Sequence, residues 1–96
     1  MSEPVAELVI KGRVQGVSFR VWAQATATSL GLRGLVRNRR DGSVQAIVTG
    51  PEERIAAFAE ACRAGPPEAE VESVERRAAA EDALPELKGV EIARTE

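Results

Sequence analysis

Branched and apolar residues fall in short blocks along the chain, and the spacing inside each block predicts its conformation. Val5 to Lys11 is rich in branched side chains and stops at Gly12, which predicts a first strand and then a loop from Gly12 to about Phe19. Arg20 to Leu30 has neither Gly nor Pro and sets Trp22, Ala25, Ser29 and Leu30 near helical spacing. Gly31 comes next as a suitable C-terminal residue for that helix. Gly34 to Asn38 and Ser43 to Thr49 are β-prone and flank Arg39, Arg40, Asp41 and Gly42; Asp-Gly between two such segments signals a hairpin. Pro51 at a first helical position, then Glu52 and Glu53, opens a second helix. Its Ile55, Phe58, Ala59 and Cys62 repeat at i, i+3, i+4 and i+7 before Gly65. After Pro66 and Pro67, Ala69 to Arg77 reads as a strand exposed on one side. Residues 78–89 read as a surface loop, and Val90 to Arg94 can add a short terminal strand.

The order β-α-β-β-α-β with short connections predicts two split βαβ units. The expected architecture is a ferredoxin-like α/β sandwich, an α+β fold in which both helices cover one face of an antiparallel sheet, with a short fifth strand at the C-terminal end. Its 96 residues make one domain, 1–96, and a chain of this size buries roughly 60–65% of its unfolded surface. Any site on it is therefore small and shallow.

Composition narrows the chemistry sharply. There is no histidine, which excludes histidine general bases, Ser-His and Cys-His pairs, and His-ligated metals. The single Cys62 cannot form an internal disulfide and fits a reducing compartment, so a cytoplasmic location is expected. No apolar run approaches the roughly 18 residues of a membrane span, and Met-Ser-Glu-Pro-Val lacks the basic start of a secretory signal. Residues 1–40 carry seven bases against two acids, whereas the other 56 carry six against thirteen. Such segregation fits either a region facing an anion or ordinary solvated surface. A pI near 5.3 and 3% aromatics argue against nucleic acid as that anion, so a small anion is the better fit.

The segment from Gly12 to Arg20 joins a strand to a helix. Backbone N–H groups of such a loop can converge, Gly16 allows a turn that a side chain would obstruct, and the helix N-terminus adds partial positive charge. Gly-Lys-Ser/Thr is missing, so a nucleoside triphosphate is not indicated. Arg20 at the junction offers a planar charged fork for phosphoryl oxygens, or it is simply a solvated side chain beside a turn glycine. Asn38, at the end of the second strand, is either a turn residue or a neutral amide able to hold a water beside a phosphoryl group. Ser18 has nothing to activate it as a nucleophile and reads as a loop hydroxyl. Cys62, Phe19 and Trp22 read as packing residues. The carboxylates of residues 68–91 show no metal-ligand grouping, and no cofactor is expected.

Three stretches resemble the acylphosphatases: Gly12-Arg13-Val14-Gln15-Gly16-Val17-x-Phe19-Arg20, then Gly34-x-Val36-x-Asn38 leading into Asp41-Gly42, and the weaker Gly65-Pro66-Pro67-x-Ala69-x-Val71. The resemblance covers the whole chain and implies a metal-independent enzyme that hydrolyses carboxyl-phosphate anhydrides. It implies that Arg20 binds the phosphoryl group, that Asn38 positions the attacking water, and that Gln15, Gly16, Val17, Ser18, Phe19 and Arg20 form the phosphate loop. Inorganic phosphate or sulfate would act as product or inhibitor. Two departures stand out: Leu35 replaces a usual aromatic, and Val90-Glu91-Ile92 replaces a common Phe-x-Ile. They bear on packing and substrate contacts rather than on Arg20 or Asn38.

The implied reaction needs no histidine. A leaving carboxylate has an ordinary pKa near 4 and departs at neutral pH without a general acid, whereas a phosphomonoester would release an alkoxide-like group. A non-catalytic anion-binding module on the same fold is the alternative. A ferredoxin-like RNA binder would need sheet aromatics beyond Phe19, Phe58 and Trp22. Nothing in the sequence demands more than a monomer.

Overall fold

Alternation along β1 (Val5–Arg13) sends Ala6, Leu8 and Ile10 to one face, where each is at most 2% exposed. In this computed structural model, which describes residues 3–80, 84 and 89–96, that face packs beneath α1 (Phe19–Ser29) and α2 (Glu52–Ala64). The other strands are β2 (Arg33–Asn38), β3 (Val44–Thr49), β4 (Glu70–Ala78) and β5 (Val90–Ile92), and they lie in the order β4-β1-β3-β2-β5. Both helices cover the sheet as a ferredoxin-like α+β sandwich requires.

The sheet is mixed rather than wholly antiparallel as expected. β1 pairs antiparallel with β3 and β4, and β2 pairs antiparallel with β3, but β5 runs parallel to β2. The cause is topological. β4 runs opposite to β1 and β2, so a chain that reverses after β4 arrives beside β2 in the same direction. The expected loop over residues 78–89 falls largely on 81–83 and 85–88, outside the described residues; Ala78 itself closes β4.

Helix α2 buries the anticipated stripe of Ile55, Phe58 and Cys62, with Ala59 partly covered. Pro51 sits one residue earlier than expected, as the N-cap, and its carbonyl accepts the first bonds of the helix from Arg54 and Ile55. Helix α1 differs more. It begins at Phe19 and buries Phe19, Ala23 and Ala27, while Ala25 and Ser29 face solvent. Small residues at i+4 and i+8 let the helix axis approach the sheet, and the bulkier Trp22 is left at the margin of the core. The end of α1 is as expected: Leu32 N–H bonds to the Ala27 carbonyl at 3.0 Å and Gly31 N–H to Thr28 at 3.0 Å, the paired bonds of a Schellman motif.

Burying Leu8, Ile10, Ile55, Phe19 and Phe58 almost completely contributes about 1.5–3 kcal/mol per side chain. The register of β1 against β4 shifts between Lys11 and Gly12. At this bulge Gly12 has φ +125°, and a Cβ there would run into the Glu70 carbonyl oxygen, so only glycine lets the strand bend into the next loop.

Candidate active site

β1, β2 and β5 point the same way, so their C-terminal ends gather at one end of the sheet. Val44 of β3 stands opposite Ile10 on one side and Asn38 on the other. The loop after β1, the last residue of β2 and Ile92 of β5 consequently meet around a cleft of about 330 Å³. Gly16, Ser18, Arg20 and Asn38 line it, joined by Val21 and Ile92 at its apolar margin.

The loop owes its shape to two left-handed residues, Gly16 at φ +74° and Ser18 at φ +60°, ψ +25°. Such successive turns direct backbone N–H groups to one side. Ser18 then caps α1 through its position alone, because its side chain makes no cap hydrogen bond and the first turn of the helix holds no acid. The first amides of a helix have no intrahelical acceptor, so this N-terminus presents donors and partial positive charge to the cleft.

Arg20 is set by its neighbour. Phe19 is 1% exposed and meets Trp22 edge-on, with ring centroids 5.3 Å apart and planes at 61°. That anchor leaves Arg20 half-buried at the cleft wall, where it is the only charged residue among the described ones.

The opposite wall is fixed through Gln15. Its Nε2 donates to the carbonyl oxygens of Arg39 and Ser43, both at 2.8 Å, which ties the loop to both arms of the β2–β3 hairpin. Within the hairpin, the Asp41 carboxylate accepts bonds from the Ser43 hydroxyl at 2.6 Å and the Ser43 amide at 2.9 Å, and these bonds hold Asp41 below the usual carboxylate range. Arg39 N–H closes the turn on the Ser43 carbonyl at 2.8 Å. Asn38 ends β2 next to this fastened turn. Its Oδ1 is buried and, among the described residues, has no hydrogen-bond partner. A buried acceptor in that state costs about 1–3 kcal/mol, so it marks a place that expects a donor.

Of the residues singled out in the sequence, Gly16, Ser18, Phe19, Arg20 and Asn38 come together at the cleft. The Gln15 amide is committed to the hairpin and Val17 is 8% exposed in the core, so neither side chain lines the cleft. Cys62 is fully buried, and burial pushes its thiol up to about 12, consistent with a packing residue. Sequence reasoning misses Val21 as a lining residue, and the one signal for it is an apolar residue directly after Arg20, where an exposed helix turn would ordinarily be polar; Ile92 enters the sequence reading only within the Val90-Glu91-Ile92 departure that bears on packing and substrate contacts. Among the described residues no group of three or more His, Cys, Asp or Glu is gathered as a metal site would need, and no helix is long and apolar enough to cross a membrane.

The fold places the chain among ferredoxin-like α+β proteins, with a cleft at one sheet end. The acylphosphatase family model matches residues 6–89, and the chain belongs to the acylphosphatase family. A relative from Azorhizobium caulinodans described as an acylphosphatase is 51% identical over 88 residues, covering 92% of each chain. Among solved structures, an acylphosphatase from Coxiella burnetii superposes with a TM-score of 0.86 at 27% identity, covering 96% of this chain and 94% of the other. An acylphosphatase from Bacillus subtilis gives 0.84 at 32% identity, covering 93% and 97%.

Proposed function

We propose that this chain, a single domain over residues 1–96, hydrolyses acyl phosphates to a carboxylate and inorganic phosphate, with Arg20 and Asn38 as its catalytic residues. The observation that carries this reading is the buried Oδ1 of Asn38, without a hydrogen-bond partner among the described residues, in the same cleft as Arg20 and the loop residues Gly16 and Ser18. An oxygen that can only accept suits a water molecule, which donates one hydrogen to it and turns a lone pair toward phosphorus.

In this mechanism the loop amides and the Arg20 guanidinium hold the equatorial phosphoryl oxygens and stabilise the charge they carry in the transition state. The Asn38-bound water attacks in line. A new P–O bond forms as the bond from phosphorus to the carboxyl oxygen breaks, the bridging oxygen leaves with the carboxylate, and the water's proton passes to the phosphoryl group. No phosphoenzyme forms. The leaving carboxylate needs no proton, which suits a cleft whose only charged lining group, among the described residues, is an arginine.

The sequence supports a monomer acting on a small substrate in the cytoplasm, with neither nucleic acid nor membrane as partner. The test is steady-state hydrolysis of benzoyl phosphate in EDTA by wild type, Arg20→Ala and Asn38→Ala. Turnover by wild type that falls about 10²–10³-fold in each variant is expected, with folding intact by circular dichroism. An undiminished rate in either variant removes that residue from the mechanism. Phosphate binding without turnover would favour the anion-binding module instead.

A further inference from the structure

Arg37 and Asn38 are consecutive residues of β2, so their side chains leave opposite faces of the sheet. Asn38 lines the cleft, whereas the Arg37 guanidinium lies on the face away from the helices, beside Gln45 of β3. There it is held twice: Nε donates to Gln45 Oε1 at 2.7 Å, and Nη1 lies 2.8 Å from Glu96 Oε2. Gln45 is itself buried and donates to the Glu7 carboxylate, which fixes it in turn. Glu96 also reaches this stretch through its main chain. Its N–H bonds to the Asn38 carbonyl at 3.0 Å, and its own carbonyl accepts from Arg40 N–H at 2.8 Å. One residue thus grips positions 37, 38 and 40 from the flank of β2 opposite β3.

This grip touches none of the phosphate-binding elements. The 15–20 loop is fastened to the hairpin separately, by the Gln15 amide on Arg39 and Ser43. Asn38 Oδ1, by contrast, has no hydrogen-bond partner among the described residues, so no bond of its own fixes where it points. Its direction comes from the backbone at the end of β2, and a small rotation there swings the oxygen off the line along which water must approach phosphorus. Resting on the hydrolase reading above, we propose that Arg37 and Glu96 are positioning residues that aim Asn38, and with it the attacking water, without taking part in phosphate binding. Arg37 carries the larger share. Its side chain is 21% exposed against 71% for Glu96, and an ion pair with one partner so open to solvent is weak unless other bonds support it.

The experiment measures kcat for benzoyl phosphate, and the inhibition constant of inorganic phosphate, in wild type, Arg37→Met, Glu96→Ala, Glu96→Gln and the Arg37→Met/Glu96→Ala double variant. Ile55→Val, a core change in α2 away from the cleft, shows what lost stability alone does. The turnover number should fall about tenfold in Arg37→Met and about threefold in Glu96→Ala, while phosphate inhibition stays as in wild type. The double variant should be no worse than Arg37→Met, because the two residues act as one unit. Glu96→Gln can still accept from Arg37 and should keep most of the rate, as should Ile55→Val. An unchanged kcat in Arg37→Met, phosphate inhibition that weakens in step with kcat, or an equal fall in Ile55→Val overturns the positioning role and leaves the hydrolase reading standing. A wild type that does not turn over benzoyl phosphate overturns both.

Discussion

The side-chain nitrogen of Gln15 lies 2.8 Å from the carbonyl oxygen of Ser43, and it reaches the Arg39 carbonyl at the same distance. One amide thus joins the element that carries Arg20 to the one that ends in Asn38. Gln15→Leu would leave two carbonyl oxygens without this donor, and a loss of about 2–3 kcal/mol is expected from urea unfolding. The turnover number should fall as well, because small displacements of positioned groups are costly. Gln15→Glu supplies a diagnostic. Its carboxylate cannot donate, so that variant should recover stability as pH falls and the protonated acid regains one donor, a trend that Gln15→Leu cannot show.

Arg20→Lys preserves the charge but replaces a planar two-pronged donor with a single flexible point. If the arginine grips two phosphoryl oxygens at once, the lysine variant should lose at least about 10²-fold in kcat/KM for benzoyl phosphate. Competitive inhibition by inorganic phosphate should weaken in parallel. A lysine variant of near wild-type efficiency would show that charge alone suffices.

Gly65, at φ +65°, closes α2 against the site's main anchor. A Cβ there would stand 2.9 Å from the Phe19 ring and 3.3 Å from Val71. Gly65→Ala should cost about 1–3 kcal/mol from the backbone alone, whose positive φ with ψ −171° is essentially open to glycine only, with the crowding added to it. Because Phe19 precedes Arg20, the same variant should lower benzoyl phosphate turnover although residue 65 lies outside the cleft. Thermal melting and steady-state kinetics measure the two effects separately.

Cys62 gives a pH-dependent prediction. Burial raises its thiol from the usual 9.0 to about 12, so the unfolded chain gives up this proton before the folded one does. The contribution is complete below pH 9 and is lost as pH rises from 9 to 12, by about 4 kcal/mol across that window. Cys62→Ala should show a shallower alkaline loss in denaturant titrations. In the native wild type a thiol reagent at about pH 8 should label the protein only at the rate of unfolding.

Much of the fold is legible in the sequence because it is local. The bulk and spacing of Ile55, Phe58 and Cys62 specify a helix face, and Asp41-Gly42 between β-prone segments specifies a turn that the Asp41–Ser43 bonds then fasten. Arg20 and Asn38 can be named because the motifs around them are specific, and the fold brings both to one cleft. Three features cannot be read from neighbouring residues. The buried face of α1 is misleading in sequence because Trp22 outweighs Ala23 and Ala27 on a hydrophobic scale, although small residues allow the closer approach. The parallel docking of β5 depends on which sheet edge is open after β4 is placed. The Gln15 bridge and the meeting of Val21 with Ile92 exist only once residues far apart in the chain share a sheet end.

Beyond Ile92 the backbone keeps bonding along the same flank, from Ala93 N–H to the Val36 carbonyl, from Glu96 N–H to the Asn38 carbonyl, and from Arg40 N–H back to Glu96. These bonds occupy a row of polar groups on β2 that would otherwise invite a stranger's strand to add on. Clipping residues 90–96 should therefore do more than trim the cleft: the shortened chain would carry a sticky border right beside it, and self-association into β-rich assemblies would compete with its work as a catalyst.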